Sequence, residues 1–443
     1  MTENVERIVP ASGRFRGTLT PLNIHDFRLL ISSDFLWWAT RFMEMTVVGW
    51  LVLELTNSAW QVTVIGFYRS APFLIVGFFS GPLIDRFGRR KVILWSQAAN
   101  LLITAAIALL LWLDRLAFWH LAVSALLIGA AWSVDWPARR SFVPDLVGKA
   151  RTIEAMLLEN LAQNIARIIG PFLGGWLIAA ISVTGAYSVL ATISALALVI
   201  LFGLSNRPIP RTHKLGAASP WADTVAGWRY VRRNQPILGT LLITTIMNFL
   251  VFPYMFLLPV FARDVLDQGP TGLGILGAGA GIGAFIGLLL IGRLRRLINP
   301  GWILGVGSLS QALVILIFSF SDNFSLSLLM LILSGIGQAC FGTMQSAIML
   351  LAASDEMRSR AMGTLVLAIG AGPLGQLQIG GLAEFFGAPL AVALHSSLGA
   401  LSMIGVMVGL PGFRGKLSAG DEIQTPEQQI RSDLGKQDRG FSR

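Results

Sequence analysis

Twelve apolar stretches, each long enough to cross a bilayer, recur along this chain and leave it few ways to fold. A helix needs about 20 apolar residues to span ~30 Å of hydrocarbon. Such runs occupy roughly residues 28–54, 59–83, 91–112, 117–140, 153–180, 184–204, 237–262, 270–292, 301–321, 324–352, 360–384 and 388–410. Several exceed the minimum and leave room for tilt or for projection beyond the membrane. The expected fold class is therefore an all-α membrane protein of twelve transmembrane helices.

Composition agrees. Of 443 residues, 54% are hydrophobic and only 13% charged, against about 25% charged in a soluble domain. Mean hydropathy is +0.67. A soluble chain of this length divides into two or three domains joined by polar linkers. Here polar residues are confined to the ends and to short breaks between runs. The one cysteine, Cys340, sits inside an apolar run, so neither a disulfide framework nor a cysteine metal site is expected. Residues 1–26 are polar and lack a cleavage pattern after a short apolar core, so the first span is expected to be retained.

The formal charge of +10 is explained by topology. With loops assigned alternately, Arg86, Arg89, Arg90 and Lys91 follow span 2, and Arg139, Arg140, Lys149 and Arg151 surround the 4–5 loop. Arg207, Arg211, Lys214, Arg229, Arg232 and Arg233 lie in the 6–7 linker, Arg293, Arg295 and Arg296 follow span 8, and Arg358 and Arg360 precede span 11. The opposite loops hold little beyond Arg115 and Arg263. This positive-inside bias places both termini in the cytoplasm. No separate basic domain exists, which argues against a nucleic-acid partner.

The expected organisation is a cytoplasmic segment 1–27, a six-helix bundle 28–204, a linker 205–236, a second six-helix bundle 237–410 and a disordered cytoplasmic tail 411–443. Within the linker, Ser219, Pro220 and the helically spaced Trp221, Val225 and Trp228 predict a short amphipathic helix on the membrane interface. Gly170-Pro171 in span 5 precedes Gly185-Ala186 by fifteen residues, and Gly372-Pro373 in span 11 precedes Gly387-Ala388 by the same fifteen. Equivalent placement in the fifth and eleventh spans points to pseudo-symmetric halves, a plan typical of secondary transporters.

The loop "GPLIDRFGRRK" between spans 2 and 3 resembles the signature loop of the major facilitator superfamily. "LVLELTNSAW", "PARRSFVPDLV", "NIARIIGPFLGG" and "FARDVL" further resemble its bacterial branch of enterobactin-exporter and macrolide-efflux-like proteins. The resemblance implies a gate in which Gly81 and Gly88 turn the chain while Asp85, with Arg86 and Arg89, helps hold the cytoplasmic side shut against the start of span 11, near residues 358–363. Arg90 and Lys91 read as topology markers only. "ARIIGPFLGG" resembles the antiporter motif of span 5, carried by Gly170, Pro171, Gly174 and Gly175 with Ala166 in place of the first glycine. That motif accompanies exporters; small-residue packing explains the same residues. The arginine-rich motif B of proton-coupled relatives is not evident in span 4, which counts against a proton.

Charges inside spans are the sharper sign, because each is expensive in hydrocarbon. Span 1 holds Asp34, Arg41 and Glu44, with Asp34 and Arg41 only about 20° apart around the helix. Span 2 adds Arg69 and span 5 adds Arg167, with Asn160 and Asn164 nearby. An apolar cavity raises a carboxylate's pKa and a neighbouring arginine lowers it. Asp34 and Glu44 are the expected proton-coupling residues, and Arg41, Arg69 and Arg167 their partners or contacts for an anionic cargo. A structural salt-bridge cluster joining spans 1, 2 and 5 accounts for the same charges. Glu159, Asp135 and His395 read as structural. Asn160, Asn164, Asn248, Tyr254, Gln338, Gln345 and Gln376 are the cavity candidates, and Met247, Phe249, Phe252 and Phe256 of span 7 face either a cavity or lipid.

No phosphate-binding G-x-x-x-x-G-K-[ST] loop occurs, and no nucleophile–base pair suggests an enzyme. No cofactor or metal is expected. The resulting expectation is a monomeric secondary transporter of a bacterial inner membrane. It exports a small amphipathic molecule such as a drug, siderophore or secondary metabolite by alternating access in exchange for protons. Alternatives are a lipid or lysophospholipid transporter of the same fold, and a non-transporting membrane sensor or scaffold.

Overall fold

Local chemistry sets many of the helix boundaries. Ser58, Asn234 and Asn323 each accept a bond from the backbone N–H three residues on, at 3.2, 3.2 and 3.1 Å, as N-caps do. Pro72, Pro270 and Pro300 occupy first turns, where no N–H is needed. Gly88 joins two helices with φ at +86°, a conformation that only glycine adopts without strain.

The structure is a computed structural model that describes residues 19–205, 230–232, 234–295, 297–354 and 357–415, without the side chains of Leu74, Phe78, Lys149 and residues 358–360. Every regular element among the described residues is helical. The order is α1 (His25–Thr56), α2 (Ala59–Ser70), α3 (Pro72–Phe87), α4 (Arg89–Trp112), α5 (Phe118–Val147), α6 (Thr152–Phe202) and α7 (Gln235–Ile246). After a distorted stretch come α8 (Pro270–Leu294), α9 (Pro300–Ser319), α10 (Phe324–Ala352), α11 (Arg358–Ile369), α12 (Gly372–Phe386) and α13 (Ala388–Gly409). The linker helix expected at 219–233 lies outside the described residues except for 230–232, which are helical, as does the tail from 416.

Among the described residues nine helices are long and apolar enough to cross a membrane, or ten if the bent pair Ala59–Gly77 and Phe79–Phe87 is one span. This is fewer than the expected twelve, and two features bear on the difference. Helix α1 carries Asp26, Arg28, Asp34, Arg41, Glu44 and Glu54, which depress its hydropathy. Helix α6 runs for 51 residues but is two helices meeting at Ser182, whose φ of 89° and ψ of 166° are not helical.

After α7 the chain passes through a π-turn (Met247–Val251), a 3-10 turn (Phe252–Leu257) and a second π-turn (Phe261–Val265). Pro253 and Pro259 lie in this stretch and remove two backbone donors, which favours such irregular turns.

The buried core divides unevenly. One cluster holds Phe27, Ile84, Ile93, Phe142, Leu158 and Leu201, all from α1 to α6. A second holds Ile237, Met247, Ile303, Phe341, Ile348 and Met403, all from the helices after the linker. A third mixes both sets, including Met43, Val47, Ile65, Leu257, Phe261, Leu276 and Ile379. Arg90 Nε donates to the Leu204 carbonyl at 3.1 Å and the Ser354 N–H donates to Tyr230 Oη at 3.1 Å, so the two separate clusters lie at the end that carries the linker. The shared cluster lies toward the opposite end. Among the described residues, the core shared by the two sets of helices thus gathers toward the far end. Many large apolar side chains, such as Leu102, Leu289 and Leu401, remain exposed, as a lipid-facing wall requires.

Candidate functional site

Contacts between helices before and after the linker run from the far-end loops to about mid-helix. At the far end Glu384 Oε2 accepts from Ser58 Oγ at 3.0 Å and from the Trp60 N–H at 3.1 Å. Arg263 Nη1 donates to the Leu53 carbonyl at 3.1 Å. Deeper, Gln376 Nε2 donates to Ser70 Oγ at 3.1 Å. The glycines of the span 5 motif pack closely. A methyl group on Gly175 would lie 2.2 Å from the Pro270 carbonyl oxygen and 2.9 Å from Gly274 Cα. Gly170 and Gly174 instead meet α1, at Ala39, Phe42 and Met43.

Below this seal lies a cavity of about 150 Å³. Both sets of helices line it, with Phe42, Met45, Arg69, Arg167, Phe256 and Gln338 prominent in its wall. Pro171 of the span 5 motif lines it too, as do Met255 and Pro259 of the irregular stretch after α7. A second, smaller cavity of about 20 Å³ lies among α1, α2, α4 and α5, and Arg69 borders both.

Two buried charge groups flank these spaces. Glu44 pairs with Arg69. Arg41 lies over the Trp132 ring at 4.0 Å, and Arg167 over Phe42 at 5.4 Å. Nearer the linker end, Arg139 Nε donates to Asp135 Oδ2 at 2.9 Å and its Nη1 pairs with Asp34. Arg139 Nη2 reaches Gln97 Oε1 at 3.4 Å, and the guanidinium lies 5.1 Å from the Trp37 ring. Asp34, Asp135 and Arg139 are each no more than 2% exposed. Glu159 lies 4.0 Å from Arg140.

This arrangement revises several expectations. Asp34 pairs with Arg139 and not with Arg41, Arg69 or Arg167, and of those three only Arg69 has an ion pair among the described residues. Arg139, counted with the loop charges, is fully buried in α5. Span 4 therefore does supply an interior arginine, and Asp135 shares it. Of the cavity candidates, Gln338 lines the larger space. Asn164 and Asn248 donate to carbonyls one turn back, at 2.8 and 2.9 Å. Asn160 lies 3.5 Å from Arg140. Tyr254 Oη meets Ser334 Oγ at 3.3 Å, Gln345 donates to Thr244 Oγ1 at 2.7 Å, and Gln376 bonds Ser70. Met247 belongs to the core, Phe252 packs on Phe341, and Phe256 lines the cavity.

Gly81, Asp85 and Arg86 lie exposed on the last turns of α3, so Gly81 is helical and Gly88 alone, also exposed, makes the expected turn between α3 and α4. Arg89 pairs with Asp145 of α5. Arg90, read as a topology marker, also caps α6 by donating to the Leu204 and Phe202 carbonyls at 3.1 and 3.4 Å. The expected partners of Asp85 at 358–360 have side chains outside the described residues. Asp145, Gln97 and Arg139 are the residues that spacing did not reveal. Gln97 and Arg139 face inward, whereas Asp145 is exposed and is drawn in by its pairing with Arg89.

Comparison with known proteins agrees with this architecture. The profile of the transmembrane secretion effector family matches residues 16–441. The chain is 27% identical to the multidrug efflux pump Tap of Mycolicibacterium fortuitum over 83% of its own length and 90% of the pump's. It is 26% identical to the enterobactin exporter EntS of Escherichia coli over 89% of its own length and 94% of the exporter's. Among solved structures it is similar in fold to a bacterial homologue of the human lysosomal transporter Spinster, in an inward-facing, unoccupied conformation. The TM-score is 0.65 at 14% identity, covering 88% of this chain and 95% of that one. The chain belongs to the transmembrane secretion effector family of the major facilitator superfamily, whose members are membrane transporters and not enzymes.

Proposed function

We propose that this protein exports a small amphipathic organic molecule across a bacterial inner membrane by alternating access, as a proton antiporter. The observation that carries the reading is the cavity of about 150 Å³ lined by both sets of helices, beneath the far-end contacts that join them. Tap and EntS, similar over most of the chain, are an efflux pump and an exporter by name. The proposed topology has twelve crossings, in six-helix bundles at 28–204 and 237–410, with the linker end in the cytoplasm. The break at Ser182 supports it, since a straight 51-residue helix would be about 77 Å long, more than twice the hydrocarbon thickness. In this reading the described conformation is open to the cytoplasm. Asp85 then meets the start of α11 only after the linker end closes.

Asp34 and Glu44 are the proposed coupling carboxylates. Glu44 borders the smaller cavity, whose wall also includes Asp135, and Asp135 shares Arg139 with Asp34. A proton arriving on either acid weakens its ion pair, which links protonation to helix packing. The proposed working unit is a monomer. In inverted vesicles, an imposed pH gradient is expected to drive accumulation of a fluorescent amphipathic compound. Asp34→Asn and Glu44→Gln are expected to uncouple it. Accumulation unchanged in both variants would remove these acids from the mechanism, and absence of flux across a broad panel would favour a sensor or scaffold.

A further inference from the structure

The charges in the wall of the larger cavity are both positive. Arg69 and Arg167 line it, with Thr46 and Gln338 as its uncharged polar members, and no carboxylate does. Glu44 neutralises Arg69. Arg167 has no ion pair among the described residues. Its guanidinium lies 5.4 Å from the Phe42 ring, and its Nε is buried without a hydrogen-bond partner in the protein. Behind Arg69, Arg41 rests on Trp132 and likewise lacks an ion pair among the described residues. Of these three guanidiniums only Arg69 has a carboxylate partner among the described residues, since Asp135 of the smaller cavity is held by Arg139. A desolvated, unpaired cation draws an anion strongly, and a guanidinium offers a planar fork suited to an oxyanion. Around it, Phe42, Met45, Met255 and Phe256 supply apolar and polarisable surface that adapts to rings of different shape.

We propose that this cavity selects amphipathic molecules bearing an oxyanion group, such as a carboxylate, sulfonate or ionised phenol, and that Arg167 binds that group. The inference deepens the export reading and rests on it for the direction of movement. It also fixes the sign of the charge moved. An anion leaving a cell that is negative inside travels with the membrane potential, and a proton entering in exchange moves charge in the same sense.

Binding to the purified full chain tests the site apart from transport. Dansylglycine carries a carboxylate, and dansyl-ethylenediamine presents an amine on the same fluorophore. Dansylglycine is expected to bind at least tenfold more tightly than the amine. Arg167→Gln is expected to abolish that preference, and Arg167→Lys to keep part of it. Equal or tighter binding of the amine by the unaltered protein, or no binding of dansylglycine, overturns the proposal without need of any variant. Undiminished dansylglycine binding in a folded Arg167→Gln protein overturns it as well. Flux in inverted vesicles is read separately. Saturable dansylglycine binding that depends on Arg167, with no flux of any compound, sinks export while leaving the anion site standing.

Discussion

Arg139 and Asp34 stand 105 positions apart in the chain, yet they form an ion pair from which solvent is almost wholly excluded. Asp135 occupies another edge of the same guanidinium, so one cation holds two acids from two helices. Removing the cation leaves both acids buried together. Arg139→Ala is expected to destabilise the fold by about 3–5 kcal/mol, read as a lowered unfolding temperature in detergent. Arg139→Lys is expected to rescue little, because a lysine cannot present the planar fork. A variant as stable as the parent would show that the triad is not structural.

The glycines of the span 5 motif and of the signature loop are expected to behave in opposite ways. Gly175→Val places a side chain against the Pro270 carbonyl and Gly274, and should abolish transport by forcing α6 and α8 apart. Gly81 has open space where a side chain would go. Gly81→Ala is expected to retain transport within about twofold.

Glu384 joins the far end through exposed hydrogen bonds with Ser58 and Trp60. Exposed hydrogen bonds to a charged group contribute on the order of 1 kcal/mol. Glu384→Ala should therefore shift the balance toward the far-end-open form by a few-fold. A cysteine at Thr46, in the cavity wall, placed in a Cys340→Ser background, reports this as faster labelling by an impermeant maleimide applied from the far side. Labelling at the parent rate would mean that Glu384 is no latch.

Arg89 and Asp145 tie the start of α4 to the end of α5 across a partly exposed ion pair. Either single reversal, Arg89→Asp or Asp145→Arg, is expected to slow transport, and the double reversal to restore most of the rate. Stability should change by no more than about 1 kcal/mol in any of the three. Failure of the double reversal to recover activity would assign Arg89 a role apart from this pair.

Hydropathy marks where a helix runs but not how it is rotated, and that divides what was legible from what was not. The apolar runs located every described membrane-length helix, and the glycines and prolines marked many of their ends. The charges of α1, visible at once, lowered its hydropathy while announcing its importance. Arg139 escaped notice because an arginine near a helix end supports the same loop-charge pattern whether it faces water or the interior. Its partner Asp34 lies on another helix. The amides were misleading for a related reason: Asn164 and Asn248 satisfy their own helices, and nothing in residue type separates that use from contact with a cargo. Only Gln338 among the glutamines and asparagines considered reached the larger cavity.

The meeting of Gly175 with Gly274 has a mechanical consequence. Interlocked side chains act as gear teeth, so two helices joined by them cannot change their crossing angle without repacking. At this crossing the main chains touch almost directly, and there are no teeth to disengage. The crossing can serve as a bearing, about which one bundle tips against the other while the surfaces in contact stay the same.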